Sequence, residues 1–172
     1  MKRKEWCRSL LSAEKYSAMV KHAAVNSQDQ EALKVVVARF RAALELGDLP
    51  LVSLAAFPHG SCGDVCELLS QFLIDSGFGE WRYCSGQRAD PLFTNAWLER
   101  DGLILDITAD QIPDIDQPVL LTRDRAWHNQ FSLHECRRAA NVDHLLFQDF
   151  AADAEWTYRE LYRRVSDRAG LP

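Results

Sequence analysis

The chain has no apolar run long enough for a membrane span: none of its 172 residues belongs to a stretch approaching the roughly 20 consecutive apolar side chains that a bilayer demands. It also has no basic excess. Twenty Lys and Arg stand against 25 Asp and Glu, for a formal charge of −5, and no basic cluster is long enough to follow a phosphate backbone. Nucleic acid is therefore not an expected partner. The opening MKRKEWCR is basic, but only two consecutive leucines follow before charge returns, so the apolar centre of a secretory signal is missing. Internal repeats, low-complexity tracts and linkers are missing too. Cysteines are few and odd in number. Cys7, Cys62, Cys66, Cys84 and Cys136 follow no framework spacing, which fits a reducing compartment better than a secreted disulfide scaffold. The expectation is a soluble, cytoplasmic protein that meets no membrane, with its oligomeric state left open.

What is present suits one domain spanning residues 1–172. With 47% hydrophobic residues the chain can bury a core of ordinary size. Helical character runs over residues 12–46, where Leu33, Val36, Val37, Phe40, Ala43 and Leu44 fall on one stripe before Gly47-Asp48 and Pro50 stop it. A second helix is expected from about Cys62 to Ser76-Gly77, with Val65, Leu68, Leu69, Phe72 and Leu73 inward and Ser61 with Asp64 as a capping-box-like start. Residues 81–85, 96–107 and 118–122 read as short strands. Residues 151–168 read as a closing amphipathic helix with Trp156, Leu161 and Val165 inward. Helices preceding a small antiparallel sheet make the fold class α+β.

Cys62 falls in the first turn of the second helix, where unsatisfied N–H groups and the positive end of the helix dipole stabilise a thiolate. Gly60 and Gly63 keep bulk away from the sulfur, and backbone donors, the Cys62 N–H among them, are placed to receive an oxyanion. On these residues alone, a nucleophile and a small buried cysteine are equally well served. Cys66, one turn on, reads as core; a metal pair with His59 or Cys84 has only a C-x3-C spacing behind it.

Asp101-Gly102 reads as a two-residue hairpin turn. Arg100 then faces Leu103, Leu98 faces Leu105, and Asn95 faces Thr108. Ala96, Leu98, Leu105 and Ile107 share an apolar face, while Asn95, Trp97, Glu99, Asp106 and Thr108 share the other. Asn95 and Asp106 become diagonal neighbours, at a backbone spacing of roughly 7–8 Å that a side chain as long as histidine bridges. An imidazole at 95 would rest on Asp106 and present its other nitrogen to Cys62, the logic of nucleophile, base and orienting carboxylate.

The order GSCGD at a helix start, then a strand reading NAWLE, then Asp-Gly and a second strand ending LDIT, resembles the transglutaminase-like branch of the papain-like cysteine enzymes, which includes arylamine N-acetyltransferases and peptide N-glycanases. The resemblance covers about residues 57–111, within a catalytic-like core of about 57–122. It implies Cys62 as nucleophile and Asp106 as orienting acid, with Asn95 standing where that family has its histidine; Trp97 and Glu99 match the aromatic and acidic positions that follow. The implied chemistry is acyl transfer on an amide of a protein or peptide: hydrolysis by a peptidase, glutamine deamidation, or transfer to an amine. No cofactor is implied. Calcium has no D-x-D-x-D-G loop here, and Asp110, Asp114 and Asp116 read as a solvated acidic turn.

An amide has no titratable proton near neutrality, so Asn95 can bond to Asp106 but cannot serve as base. Three readings follow: a histidine replaced deliberately, a natural pseudoenzyme that binds a protein partner in the same cleft without turnover, or another histidine as base. For the last, His128 and His59 are the candidates, neither beside Asp106 by any derivable spacing. His134 and His144 have no context that raises them above ordinary surface histidines.

Overall fold

The computed structural model describes residues 27–140, 142, 145 and 151–168. The expected helical stretch before residue 27 and His144 lie outside them. Three α-helices are seen among the described residues: α1 (Ser27–Glu45), α2 (Cys62–Asp75) and α3 (Ala151–Arg168). The five strands are β1 (Arg82–Ala89), β2 (Leu92–Arg100), β3 (Leu103–Asp106), β4 (Leu120–Thr122) and β5 (Ser132–Arg138). They form one sheet in the order β4-β3-β2-β1-β5, with every neighbour antiparallel. The class is α+β.

The expected stripe of α1 is buried at Leu33, Val37, Phe40, Ala43 and Leu44, with Val36 at its half-buried margin. That of α2 is buried at Val65, Leu68, Leu69, Phe72 and Leu73. These two stripes, the Ala154, Tyr158, Leu161 and Val165 side of α3, and Ala96, Leu98, Leu103 and Leu105 of the sheet make the main core. At ~1.5–3 kcal/mol per fully buried large apolar side chain, this layer supplies most of the driving force. Trp156 is corrected: it is 51% exposed, and the buried stripe of α3 passes through Thr157 and Tyr158 instead. A smaller core on the opposite face of the sheet gathers Cys84, Trp97, Ile104, Ile112 and Phe131.

The hairpin forms as the turn chemistry requires. Asp101 and Gly102 sit at φ 52° and 74°, the left-handed pair that matches strand twist. Arg100 pairs with Leu103 and Leu98 with Leu105. β5 was not expected from the sequence. It pairs along β1 and places Cys136 opposite Cys84, and these two form a disulfide across 52 residues. The scattered spacing of the cysteines concealed that pair. The sheet comes close at Gly86, where an added Cβ would stand 2.8 Å from the Ser132 carbonyl oxygen and 3.0 Å from Phe131 Cβ.

Polar ties join α2 to the sheet and the helices to one another. Glu67 of α2, almost fully buried, takes the Arg137 guanidinium of β5 at 2.8 Å, and that guanidinium lies over the Tyr83 ring. The Tyr158 hydroxyl of α3 donates to Asp75 at the end of α2. Arg164 donates to the Ala43 and Gly47 carbonyls at the end of α1.

Candidate active site

The loop before α2 turns on Ser61, whose hydroxyl donates to the Pro58 carbonyl at 2.9 Å. The hydroxyl is turned back to that carbonyl, Ser61 makes no side-chain cap, and the capping-box expectation fails. The helix itself starts as expected, with the Val65 N–H on the Ser61 carbonyl, and Cys62 is its first residue.

Cys62 is half-buried and a free thiol. Burial pushes its pKa up; the Gln111 side chain and the amides of Ala96 and Gly63 pull the other way without offsetting it, and the charge of Asp106 adds to the rise. The expected depression by the helix terminus is therefore corrected. Removing the sulfur from water costs its anion more than the end of one helix returns. Cys66, one turn on, is fully packed in the main core and pushed higher still by burial.

The two hairpin residues meet directly. Asn95 Nδ2 donates to Asp106 Oδ2 at 2.7 Å, and both residues are 1% exposed. The amide's other end is also taken: Asn95 Oδ1 accepts from Gln111 Nε2 at 3.1 Å. Gln111 ends a short 3-10 turn, Ala109–Gln111, and its Oε1 accepts the Gly60 N–H at 3.2 Å. Sequence reasoning missed Gln111. It ties the loop before the thiol to Asn95 by hydrogen bonds and acts on the Cys62 sulfur from there.

Asp106 is the centre of the remainder. Oδ1 accepts the Thr108 N–H at 2.9 Å and the Thr108 hydroxyl at 3.3 Å, while Oδ2 is shared between Asn95 and His128 Nε2, the latter at 3.2 Å. His128 thus stands beside Asp106 after all, brought there by a second 3-10 turn, His128–Gln130. The ring lies between Trp97 and Trp127, with centroids 4.9 and 4.8 Å away, and is 2% exposed. With Nε2 against a carboxylate the neutral ring carries its proton there. Nδ1 is buried without a hydrogen-bond partner. His59 and His134 are exposed.

Trp97 and Glu99 continue the same face: the Trp97 indole N–H donates to Glu99 Oε1 at 2.7 Å, and Arg125 donates to the same oxygen at 2.7 Å. The acidic turn is not merely solvated. Asp110 is gripped by Arg41 through two 2.8 Å bonds, and Asp114 is held by Arg88 and Trp127. The Arg88 hydrogen bond brings Asp114 down to about 2. No family model, curated protein or solved structure matches the chain.

Proposed function

We propose that this chain carries a papain-like site of the transglutaminase-like branch, built for acyl transfer on the amide of a protein or peptide, with its base position filled by a residue that cannot act as one. The observation that carries the reading is the 2.7 Å bond between Asn95 and Asp106, in a group that reaches the Cys62 thiol through Gln111. A histidine at 95 would find its orienting carboxylate already placed, and its second nitrogen would face toward the sulfur. The thiolate would attack the carbonyl, the amine or ammonia would leave with the proton that the base had taken, and water or a second amine would resolve the thioester.

A second reading rests on His128, whose Nε2 is on Asp106 and whose Nδ1 has no partner. There the base is His128 and Asn95 only positions. One set of variants separates the two. Wild type, Asn95→His, Asn95→His with Cys62→Ala, and His128→Gln are assayed for ammonia release and amine incorporation on a panel of peptides and glutamine-containing proteins. The main reading expects Asn95→His to exceed wild type by about 10²–10⁴-fold, the usual contribution of a positioned base, and the added Cys62→Ala to abolish the gain. Wild-type turnover lost on His128→Gln would move the base to His128. An inert Asn95→His protein that binds panel members would make the cleft a non-catalytic binding site.

A further inference from the structure

Along the face that carries Asn95 and Trp97, a second group of donors stands apart from the cleft. Cys84 of β1 is fully buried, Cys136 of β5 is half-buried directly opposite it, and Glu99 of β2 lies diagonally across from Cys84. One donor atom from each lies within 4.8 Å of the other two. In the oxidised chain the two sulfurs are bonded to one another.

We propose that, once this disulfide is reduced, Cys84, Cys136 and Glu99 bind one thiophilic divalent ion of the zinc type, leaving its fourth position to water. Three protein donors and an open position are what a tetrahedral ion with mixed sulfur and oxygen ligation accepts. With bonds of about 2.3 Å to sulfur and about 2.0–2.2 Å to oxygen, its ligands stand roughly 3.4–3.8 Å apart. Small side-chain rotations reach that from the separations present. Two strands of one sheet hold the sulfurs, so the pair is preformed and little ordering is needed. Both hydrogen bonds to Glu99 fall on Oε1, and Oε2 takes no donor among the described residues. One carboxylate oxygen is thus left for an ion.

The chemistry balances simply. A phosphine reductant and water convert the disulfide to two thiols and a phosphine oxide, and the ion then displaces one proton from each thiol. Because disulfide and ion claim the same sulfur electron pairs, the two states exclude each other.

The test uses the full chain, reduced with a water-soluble phosphine under argon and freed of it, then titrated with Co(II) and, against a chromophoric chelator, with Zn(II). One ion per chain is expected, with the near-ultraviolet thiolate-to-cobalt band and the strong visible bands of tetrahedral cobalt. Cys136→Ser should abolish the charge-transfer band of the pair, Glu99→Gln should weaken zinc binding by about tenfold or more, and Cys62→Ser should leave both signals intact. The unreduced chain should bind none. Retention of full affinity in Glu99→Gln, loss of the signal in Cys62→Ser, or no binding by the reduced wild-type chain would each overturn the assignment. Glu99→Gln keeps the sulfurs and the strand pairing, so the question stays answerable if Cys136→Ser fails to fold.

Discussion

Asn95 commits both ends of its amide, Nδ2 to Asp106 and Oδ1 to Gln111, so it holds position without exchanging protons. The Cys62 sulfur is left to its own acidity. Because burial raises the Cys62 pKa, less of it is thiolate at any pH below that value than for a free cysteine. Alkylation reads this directly. With iodoacetamide at pH 6, Cys62 in the folded chain should label more slowly than the same residue in denaturant, and its rate should climb about tenfold per pH unit while the thiol stays mostly protonated, since only the thiolate reacts. The proposed site puts an imidazolium within reach of the sulfur in Asn95→His, which should lift the pH 6 rate. Site-resolved mass spectrometry of the alkylated chain gives both numbers. Faster labelling of folded wild-type Cys62 than of the denatured chain at pH 6 would show a thiolate stabilised by some group other than a residue at 95.

At the scale of elements, the sequence was most legible where one periodic signal met one turn signal. The α1 and α2 stripes and the Asp101-Gly102 register came through because burial and left-handed turn geometry leave few alternatives. Legibility failed in three physical situations. β5 is an edge strand whose first four residues are exposed, so it shows no inward-outward alternation. Gln111 and His128 sit in three-residue 3-10 turns, too short to carry any period, and only tertiary packing brings them to Asp106 and Asn95. Trp156 follows an amphipathic pattern yet faces water, because the buried side of α3 is set by Tyr158 and Leu161 against α1 and α2. The β1–β5 contact offers the sharper stability test. A methyl at Gly86 would press on the Ser132 carbonyl, held by the ladder, and on Phe131 Cβ, packed in the smaller core, so Gly86→Ala should cost about 1–3 kcal/mol, as overpacking does. Trp156→Ala should stay within about 0.5 kcal/mol. Urea unfolding of both variants checks the contrast, and equal midpoints would show that the edge strand shifts freely to admit the methyl.

Across the whole molecule, one side chain links the helical layer to the segment that carries Gln111. Arg41 of α1 is 6% exposed, yet it donates to the Ile107 carbonyl at 2.5 Å, to both oxygens of Asp110, to the Pro118 carbonyl at 3.0 Å and to Glu45 at 2.8 Å, with its guanidinium over the Phe57 ring. Burial works against its charge, but the hydrogen bonds to Asp110 and Glu45 win and its pKa lies above the ordinary arginine value. These acceptors bracket residues 107–118, so the same group that anchors α1 also fixes the turn from which Gln111 reaches Gly60 and Asn95. Arg41→Met keeps most of the apolar stem and removes the charge, leaving Asp110 and two carbonyls without their donor. Because Asp110 and Glu45 are partly exposed, the loss should fall somewhat under the about 3–5 kcal/mol of a fully buried pair. Arg41→Lys should recover little, since an ammonium cannot span four acceptors in a planar fork. The consequence reaches the site: with the 107–118 segment loosened, water reaches the sulfur, whose burial outweighs the help that Gln111 gives its anion, and Cys62 should alkylate faster at pH 8 in both variants while the chains remain folded by circular dichroism. A thermal midpoint unchanged in Arg41→Lys, or Cys62 labelling unchanged in both variants, would show that the segment holds its position by apolar packing alone.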